Sequence, residues 1–371
     1  MVIIQEHSAK INIDLPKGDV NAKMEVFYNP VMVSNRNISI LLINSIKNKS
    51  MRMADPLAGS GIRSLRFLKE LNKNKIKSIL INDMTEKFEH TFQEFIRLNK
   101  VSKKDKKKLI LMNQEASFLL FQNKGFDYID IDPFGTPNPF LSAAIAAISR
   151  GGILAITATD TAALSGTYPL VTRRKYWSNS LKNNYMMHEI GLRILIRKVQ
   201  LYGVQFDKVL TPILSYSKDH YFRIYFLSEK GKEKCDKILD QHQYLLFCPN
   251  CLNHKSSIYN KDNCNCGHQF QFAGPLWTGK LFEQKLVQTM TKNNELVKNG
   301  FPEEQKFLDI LLDESKNDRL GFYDLHEIAR KLKINPPKMY EIIKKTKGSR
   351  THFSPNGIKT QQNATTLMKL F

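Results

Sequence analysis

The stretch DYIDIDPFGTPNPF (residues 127–140) decides the fold class and indicates where a ligand binds. An apolar run that includes Ile129 and Ile131 suits a buried β-strand, and Pro133 and Gly135 end it abruptly. An acidic residue and an aromatic ring are therefore delivered to the tip of a strand. In an open α/β sheet the carboxyl ends of the strands are where ligands bind. The stretch therefore predicts a strand-end site.

The sequence around this stretch alternates β-like runs with helical segments. The β-like runs are MRMAD (51–55), SILIND (78–83), KLILMNQ (108–114), FDYIDID (126–132) and GGILAITAT (151–159). A long helical segment follows at about residues 179–202, and two further runs, DKVLTPILSYS and HYFRIYFLSEKG, are close enough to pair as an antiparallel hairpin. Five βα units and a closing hairpin predict a doubly wound, Rossmann-like α/β domain.

Length and charge suggest two domains and a polyanionic partner. The chain has 371 residues, and its pattern changes near residue 231, so we expect domains at 1–230 and 231–371. Lysine and arginine total 56 against 35 acidic residues, a net charge of +21, which favours nucleic acid. A lysine-rich proteome would produce the same excess without such a partner. Without an apolar run of membrane-span length or a signal segment, the expected location is the cytoplasm, with no membrane contact.

The segment ADPLAGSGIR (54–63) predicts a cofactor-binding loop between a strand and a helix. Asp55, Gly59 and Gly61 form the pattern D-x-x-x-G-x-G, in which glycines allow the backbone to approach a ligand closely. A Rossmann dinucleotide motif would need a third glycine where this chain has Ser64, which argues against NAD or FAD.

Polar residues after the next two strands favour S-adenosylmethionine as the cofactor. Asp83 ends the second strand, where a carboxylate accepts hydrogen bonds from ribose hydroxyls, although a helix cap is an equal alternative for this residue alone. Glu115 and Ala116 follow the third strand, in position to border an adenine ring. The glycine loop, the acidic residue for the ribose and the residues that border the adenine therefore occur in the order that S-adenosylmethionine requires.

Asp132 and Phe134 have the residue types needed to methylate an exocyclic amine. The amine lone pair is delocalised into the base, so a carboxylate that accepts an N–H hydrogen bond stabilises the positive charge that develops on attack. An aromatic ring holds the base outside its stack. The sequence Asp132-Pro133-Phe134-Gly135 resembles the amino-methyltransferase motif D/N-P-P-Y/F but is one proline short. A strand-ending turn with a packed phenylalanine is the alternative.

Several blocks in order resemble those of the archaeal and eukaryotic tRNA (guanine-26-N2) dimethyltransferases. The blocks are VFYNPVMVSNRNIS (26–39), DPLAGSGIRSLRF (55–67), DYIDIDPFGTPNPF (127–140), TATDTAALSGTYP (157–169) and SRTHFSPNGIKT (349–360). The resemblance implies a class I enzyme that transfers methyl groups from S-adenosylmethionine to guanine 26 of tRNA, giving N2-methyl- and N2,N2-dimethylguanosine. It also implies that Phe27 and Phe134 sandwich the guanine, and that Arg36 and Arg63 contact the cofactor.

A cysteine-rich segment, residues 248–270, predicts a structural zinc knuckle. Its first half is a standard C-x-x-C pair, whereas its second half is a shorter C-x-C pair. The expected ligands are Cys248, Cys251, Cys264 and Cys266. His254 and His268 are alternative ligands because of the irregular second pair.

The C-terminal region predicts an RNA-binding module. Four helical stretches are expected, at 280–299, 302–315, 322–332 and 336–346. Residues 330–350 contain eight basic residues and one acidic residue, which suggests a helix-turn-helix or winged helix that contacts tRNA phosphates. The segment TRRKYW (172–177) is a second expected contact.

We expect the protein to be a monomer. Two other functions compete with tRNA methylation. One is an amino-methyltransferase that acts on ribosomal RNA guanine or on adenine N6. The other is a winged-helix transcription factor fused to an inactive Rossmann domain; the complete cofactor series together with Asp132 argues against it.

Overall fold

The computed structural model describes residues 2–13, 26–296 and 300–371. The strands are β1 (Val2–Glu6), β2 (Ala9–Ile13), β3 (Met51–Asp55), β4 (Ile76–Asn82), β5 (Leu109–Met112), β6 (Phe126–Ile131), β7 (Ile148–Ala158), β8 (Lys208–Lys218), β9 (Tyr221–Lys230), β10 (His242–Phe247), β11 (His254–Ser257), β12 (Gln271–Trp277), β13 (Tyr323–Asp324), β14 (Ser349–Arg350) and β15 (Gly357–Lys359).

Helices of widely differing length connect these strands. The α-helices are α1 (Val33–Ser45), α2 (Ile62–Glu70), α3 (Phe88–Leu98), α4 (Lys103–Lys106), α5 (Ala116–Gln122), α6 (Leu141–Ala147), α7 (Thr161–Leu164), α8 (Pro169–Tyr176), α9 (Met187–Val204), α10 (Lys232–Leu239), α11 (Gln284–Leu296), α12 (Gln305–Ser315), α13 (Leu325–Leu332), α14 (Met339–Thr346) and α15 (Ala364–Met368). Short 3-10 helices occupy Pro30–Met32, Asn138–Phe140 and Pro302–Glu304. No helix in the described part of the chain is both long and apolar enough to span a membrane.

The chain forms two compact units. The first comprises Met1–Thr159, Tyr225–Glu229 and Lys292–Glu304, apart from the residues that are not described. The second comprises Asp160–Ile224, Lys230–Thr291 and Gln305–Phe371. These units are defined by packing alone, and the division by function at residues 230 and 231 stays a prediction.

The main sheet has the predicted parallel topology. Its strand order is β5-β4-β3-β6-β7-β9-β8, and the pairs β3–β4, β4–β5, β3–β6 and β6–β7 are parallel. The chain moves outward from β3 to β5 and then returns to β6, so the strand order reverses between β3 and β6. Such a switch point places a ligand-binding crevice at the carboxyl ends of the two strands. β8 and β9 are adjacent, as the predicted closing hairpin requires.

The hydrophobic pattern explains how the site-bearing elements are held. Tyr128, Ile129 and Ile131 of β6 are fully buried, as expected of a strand covered on both faces. In α3 the buried apolar residues fall at helical spacing, and they are Phe88, Phe92, Phe95 and Ile96. The strand tip and the neighbouring loop are therefore held by a rigid apolar core.

The structure differs from the predicted elements at the long helix and near the N-terminus, among other places. The long helix begins at Met187 rather than near residue 179, because Trp177 ends α8 in a left-handed conformation and Asn179 pairs with Gly274. The N-terminal hairpin β1–β2 was not predicted. The C-terminal helices lie close to the predicted stretches, although residues 297–299 of the first stretch lie outside the described residues.

The second unit contains two small sheets that carry the predicted C-terminal modules. The order β11-β10-β12 forms the sheet that bears the cysteines. The order β13-β15-β14, together with α13 and α14, has the arrangement of a winged helix.

Candidate active site and metal cluster

The loop between β3 and α2 needs glycine for both conformation and packing. Gly59 and Gly61 have φ angles of 56° and 71°, in the left-handed region. A Cβ on Gly61 would lie 2.2 Å from the ring of Phe92, and one on Gly59 would lie 3.1 Å from the carbonyl oxygen of Phe27. Ser60 N–H donates to that same oxygen at 2.9 Å. The loop is thus fixed against the segment that carries Phe27.

Asp83 connects the glycine loop to the end of β4. Its Oδ2 accepts a hydrogen bond from Gly59 N–H at 2.7 Å, and its Oδ1 accepts from the backbone N–H and the hydroxyl of Thr85. Asp83 is not the cap of α3, whose N-cap residue is Lys87. The helix-cap alternative therefore fails, and the carboxylate keeps lone pairs that a ribose hydroxyl can approach.

Glu115 has a local structural role beside the predicted adenine edge. It is the N-cap of α5, and its two carboxylate oxygens accept hydrogen bonds from Ser117 N–H and Phe118 N–H at 2.9 and 2.7 Å. Burial opposes ionisation, but these backbone donors lower the pKa of Glu115 below its ordinary value. Ala116 is the first residue of the helix and is buried.

One guanidinium and a set of carboxylates lie at the switch point between β3 and β6. Arg63 Nη2 is ion-paired with Asp132, and its Nη1 lies 3.2 Å from Asp130 Oδ2. Nη1 also donates to Asn35 Oδ1 at 3.0 Å and to Ser39 Oγ at 3.2 Å. Sequence reasoning assigned no role to Asp130; the signal was its position in β6 two residues before Asp132, since side chains two residues apart in extended backbone lie on one face.

Asp55 is the third carboxylate of this group. Burial raises its pKa to about 7; Arg63 opposes the shift, and Asp130 adds to it. Ser64 Oγ donates a hydrogen bond to Asp55 Oδ2 at 2.8 Å. The site therefore has more carboxylates than cations, and it suits a ligand or transition state that carries positive charge.

Phe27 and Phe134 lie together in the resting structure. Their ring centroids are 4.2 Å apart with an interplanar angle of 68°, an edge-to-face contact. Phe134 is 52% exposed. The turn behind it is fixed because Gly135 and Thr159 exchange two hydrogen bonds of 2.8 and 2.9 Å. In this arrangement the two rings contact each other and leave no gap between them.

Arg36 is held by the N-terminal hairpin rather than by the glycine loop. Its Nε and Nη2 bind the two oxygens of Glu6 at 2.7 and 2.6 Å, and Nη2 also donates to Asn29 O. Arg66 Nη1 binds Glu6 Oε1 at 2.7 Å. Burial alone would raise the pKa of Glu6, but Arg36 and Arg66 lower it to about 2. Sequence reasoning missed Glu6, since nothing in the pattern indicated the hairpin.

The four clustered cysteines come together in the second unit. Their sulfur atoms all lie within 4.8 Å of one another, and the residues are Cys248, Cys251, Cys264 and Cys266. The Sγ–Sγ distance is 3.5 Å between Cys248 and Cys266 and 3.3 Å between Cys251 and Cys264. His254 packs on Tyr323, and the exposed His268 has its Nδ1 3.7 Å from Cys266 Sγ, but the group of clustered candidate ligands consists of the four cysteines. Four sulfur ligands are thus the arrangement that the described residues favour.

Similarity to known proteins extends over the whole chain. The family model described as N2,N2-dimethylguanosine tRNA methyltransferase matches residues 3–371. This chain belongs to that family. Membership in the N2,N2-dimethylguanosine tRNA methyltransferase family confirms the family that the sequence blocks indicated and the predicted enzyme class.

Individual members of the family resemble the chain over nearly their full length. A tRNA (guanine(26)-N(2)/guanine(27)-N(2))-dimethyltransferase of Aquifex aeolicus is 38% identical, covering 100% of this chain and 95% of the relative. A tRNA (guanine(26)-N(2))-dimethyltransferase of Methanosphaera stadtmanae is 36% identical, covering 99% of this chain and 96% of the relative. The structure of Trm1 from Pyrococcus horikoshii with S-adenosyl-L-methionine matches with a TM-score of 0.87 at 31% identity. The match covers 100% of this chain and 99% of the Trm1 chain. The predicted fold class is confirmed by this match.

Proposed function

We propose that this chain transfers methyl groups from S-adenosylmethionine to the N2 amine of guanine 26 in tRNA, giving N2-methyl- and N2,N2-dimethylguanosine. The observation that carries the proposal is the position of Asp132 and Phe134 just beyond the end of β6, with Arg63 of α2 bound to Asp132. Full-length relatives named for this activity support the choice of substrate.

The residues around the glycine loop fit the proposed cofactor. When bound, S-adenosylmethionine supplies an electrophilic methyl group on a positively charged sulfur. Gly59 and Gly61 allow the left-handed backbone with which the loop would approach the ligand, and Asp83 would offer its carboxylate to ribose hydroxyls. Asp55 would lie at the start of the loop, and Glu115 and Ala116 would border the adenine. Arg63 and Arg36 would contact the cofactor; Arg36 would have to share its guanidinium with Glu6.

Asp132 would act on the guanine amine. Its carboxylate accepts a hydrogen bond from N2–H and so localises the nitrogen lone pair for attack on the methyl carbon. While the methyl group passes to N2 and S-adenosylhomocysteine leaves, the negative charge of Asp132 would stabilise the positive charge on N2, and the carboxylate would then accept the N2 proton that it holds by this hydrogen bond. Phe27 and Phe134 would hold the extruded base by stacking, after their present edge contact has opened.

Basic segments of the second unit would bind the tRNA. The winged-helix module presents Lys344, Lys345 and Lys347 at and after the end of α14, and the last turn of α8 contains Arg173 and Arg174. These residues can neutralise phosphates without reading sequence. A monomer in the cytoplasm, where tRNA is available, completes the proposal.

The cysteine group would bind one structural zinc ion. Tetrahedral zinc with Zn–S bonds of about 2.3 Å places its ligands about 3.8 Å apart, and the observed separations of 3.3 and 3.5 Å are close to that value. Four thiolates leave no coordination position for a substrate, so the ion would stabilise the β11-β10-β12 sheet rather than take part in chemistry.

Mass analysis of nucleosides tests the activity. The full chain is incubated with S-adenosylmethionine and three tRNA transcripts: unchanged, with guanine 26 replaced by adenine, and with guanine 27 replaced by adenine. We expect N2-methyl- and N2,N2-dimethylguanosine in the first transcript and their loss or strong reduction in the second. The third shows whether a neighbouring guanine is also modified. Undiminished methylation of the second transcript, or N6-methyladenosine as the product, would refute the proposal.

A further inference from the structure

Trp177 has an unusual backbone conformation for a large residue. Its φ and ψ angles are 54° and 40°, in the left-handed region, at the C-cap of α8. Bulky residues rarely adopt this conformation, and glycine adopts it without strain. The side chain is also 49% exposed, so burial of the ring does not explain the choice of residue. Strained positions of this kind are found at functional sites.

The chain on both sides of Trp177 is anchored, so the ring is held in place. Tyr176 is fully buried, and its hydroxyl contacts both carboxylate oxygens of Asp160 at 2.7 Å. Asn179 and Gly274 exchange two backbone hydrogen bonds of 2.9 and 2.7 Å. Arg197 Nη1 donates to the carbonyl of Trp177 at 3.2 Å. The exposed indole is therefore preorganised rather than loosely attached.

The indole is supported by a cation and a second ring. Trp177 and Tyr202 are nearly parallel, with an interplanar angle of 9° and centroids 6.0 Å apart. Lys198 Nζ lies 2.9 Å from the Trp177 centroid and 5.3 Å from that of Tyr202. Only 2% of Lys198 is exposed. The ammonium therefore interacts with the indole π-system from within the protein, while the tryptophan itself remains exposed.

The surroundings of Trp177 carry the positive charge that a phosphate backbone requires. Arg173, Arg174 and Lys175 occupy the last turn of α8, directly before the indole, and all three are exposed. An exposed aromatic ring beside basic side chains is how proteins bind single-stranded nucleic acid: the base stacks and the cations contact the flanking phosphates.

We propose that Trp177 is a stacking platform for an unpaired nucleotide of the RNA substrate, with Arg173 and Arg174 contacting the adjacent phosphates. The proposal rests on the proposed function only for the identity of the substrate as tRNA. The indole would bind a nucleotide other than the guanine that Phe27 and Phe134 are proposed to hold. Because every base has a stacking face, the platform would accept a nucleotide without regard to its sequence.

Fluorescence titration and affinity measurements with the full chain test the platform. The chain has two tryptophans, and Trp277 is only 4% exposed, so quenching by tRNA should come from Trp177. We expect tRNA to quench the wild type but not Trp177→Phe, which should bind within about threefold of wild type because it keeps a ring. Trp177→Gly should bind about tenfold more weakly, the lower part of the range for losing one stacked base. Its folding should not suffer, because glycine relieves the left-handed backbone.

Tyr259→Ala is the matched control, because Tyr259 is also an exposed aromatic residue of the second unit, and its affinity should be unchanged. Wild-type affinity in folded Trp177→Gly, or tRNA binding without Trp177 quenching, would overturn the platform. So would a change in oligomeric state of that variant by sedimentation without a change in RNA affinity, since the indole would then serve a second copy of the chain. Quenching and binding without guanine methylation would instead refute the proposed function and leave the platform intact.

Discussion

The carboxylate of Asp132 is ion-paired through Oδ2 with the guanidinium of Arg63, which lies 3.2 Å from Asp130 as well. The proposed acceptor of the guanine amine is thus oriented before substrate arrives, and its Oδ1 is the oxygen that the amine can approach. Since the same guanidinium faces two carboxylates, Arg63 orients Asp132 without cancelling the negative charge of the site.

Asp132→Ala should lower the single-turnover rate of tRNA methylation by about two to three orders of magnitude, the scale for losing one preorganised electrostatic partner. Asp132→Asn should fall between alanine and wild type, since it keeps an acceptor oxygen without the charge. The matched control is Asp127→Asn at the other end of β6, where the carboxylate accepts a hydrogen bond from Arg52 N–H. If a folded Asp132→Ala variant methylates tRNA at the wild-type rate, this carboxylate has only a structural role in the turn.

Phe134→Ala should weaken capture of the flipped guanine, with a loss of about 1 to 3 kcal/mol in stacking. The apparent affinity for tRNA in single-turnover methylation should fall, while binding of S-adenosylmethionine in calorimetry should not. Phe134→Tyr keeps the ring and should retain most of the activity. Phe118→Ala serves as control, because Phe118 is similarly exposed on α5. Equal effects of the two alanine variants would argue against stacking at Phe134.

Asp83→Ala should weaken S-adenosylmethionine binding by roughly ten- to a hundred-fold through lost charge-assisted hydrogen bonds. The carboxylate also holds Gly59 and Thr85, so part of this loss could come from a looser loop. Thr85→Val separates the two contributions, since it removes one contact to Asp83 but leaves the carboxylate. We expect calorimetry to show a much smaller loss for Thr85→Val; unchanged affinity in Asp83→Ala would remove Asp83 from the cofactor site.

Elemental analysis of the untreated protein should find about one zinc per chain, and Cys248→Ser or Cys251→Ser should lower zinc content and the denaturation midpoint. Cys235→Ser is the natural control, because Cys235 is the one cysteine of the sequence outside the cluster. A protein that contains no zinc, iron or other metal, or cysteine variants of unchanged stability, would contradict a structural ion.

Glu6→Gln should destabilise the first unit by about 3 to 5 kcal/mol, the usual effect of removing one partner from buried ion pairs. The folded pKa of Glu6, about 2, lies below its ordinary 4.5, so the carboxylate stabilises the fold fully above pH 4.5 and loses this effect as the pH falls toward 2. The difference between wild type and variant in urea denaturation should therefore shrink from pH 6 to pH 3. A pH-independent difference would show that the charge of Glu6 is not responsible; exposed Glu233→Gln is the control.

Much of the fold and of the site follows from local patterns. The apolar run of β6 and its proline–glycine stop predicted a strand tip bearing Asp132 and Phe134, and the structure has β6 end at Ile131. The paired cysteines predicted one cluster, which forms. By contrast, the start of the long helix was misplaced, because the contact that ends the preceding segment joins Asn179 to Gly274, far along the chain.

The sequence by itself determined which residue types stand at the ends of the strands, because strand, turn and loop patterns depend on neighbours within a few positions. Only the tertiary structure decided which side chains pair across the fold. Arg63 meets Asp132 across 69 positions, Arg66 meets Glu6 across 60, and Lys198 of one helix lies on the ring of Trp177 at the end of another. Such partners depend on where the packed elements place each side chain, and no local pattern contains that information.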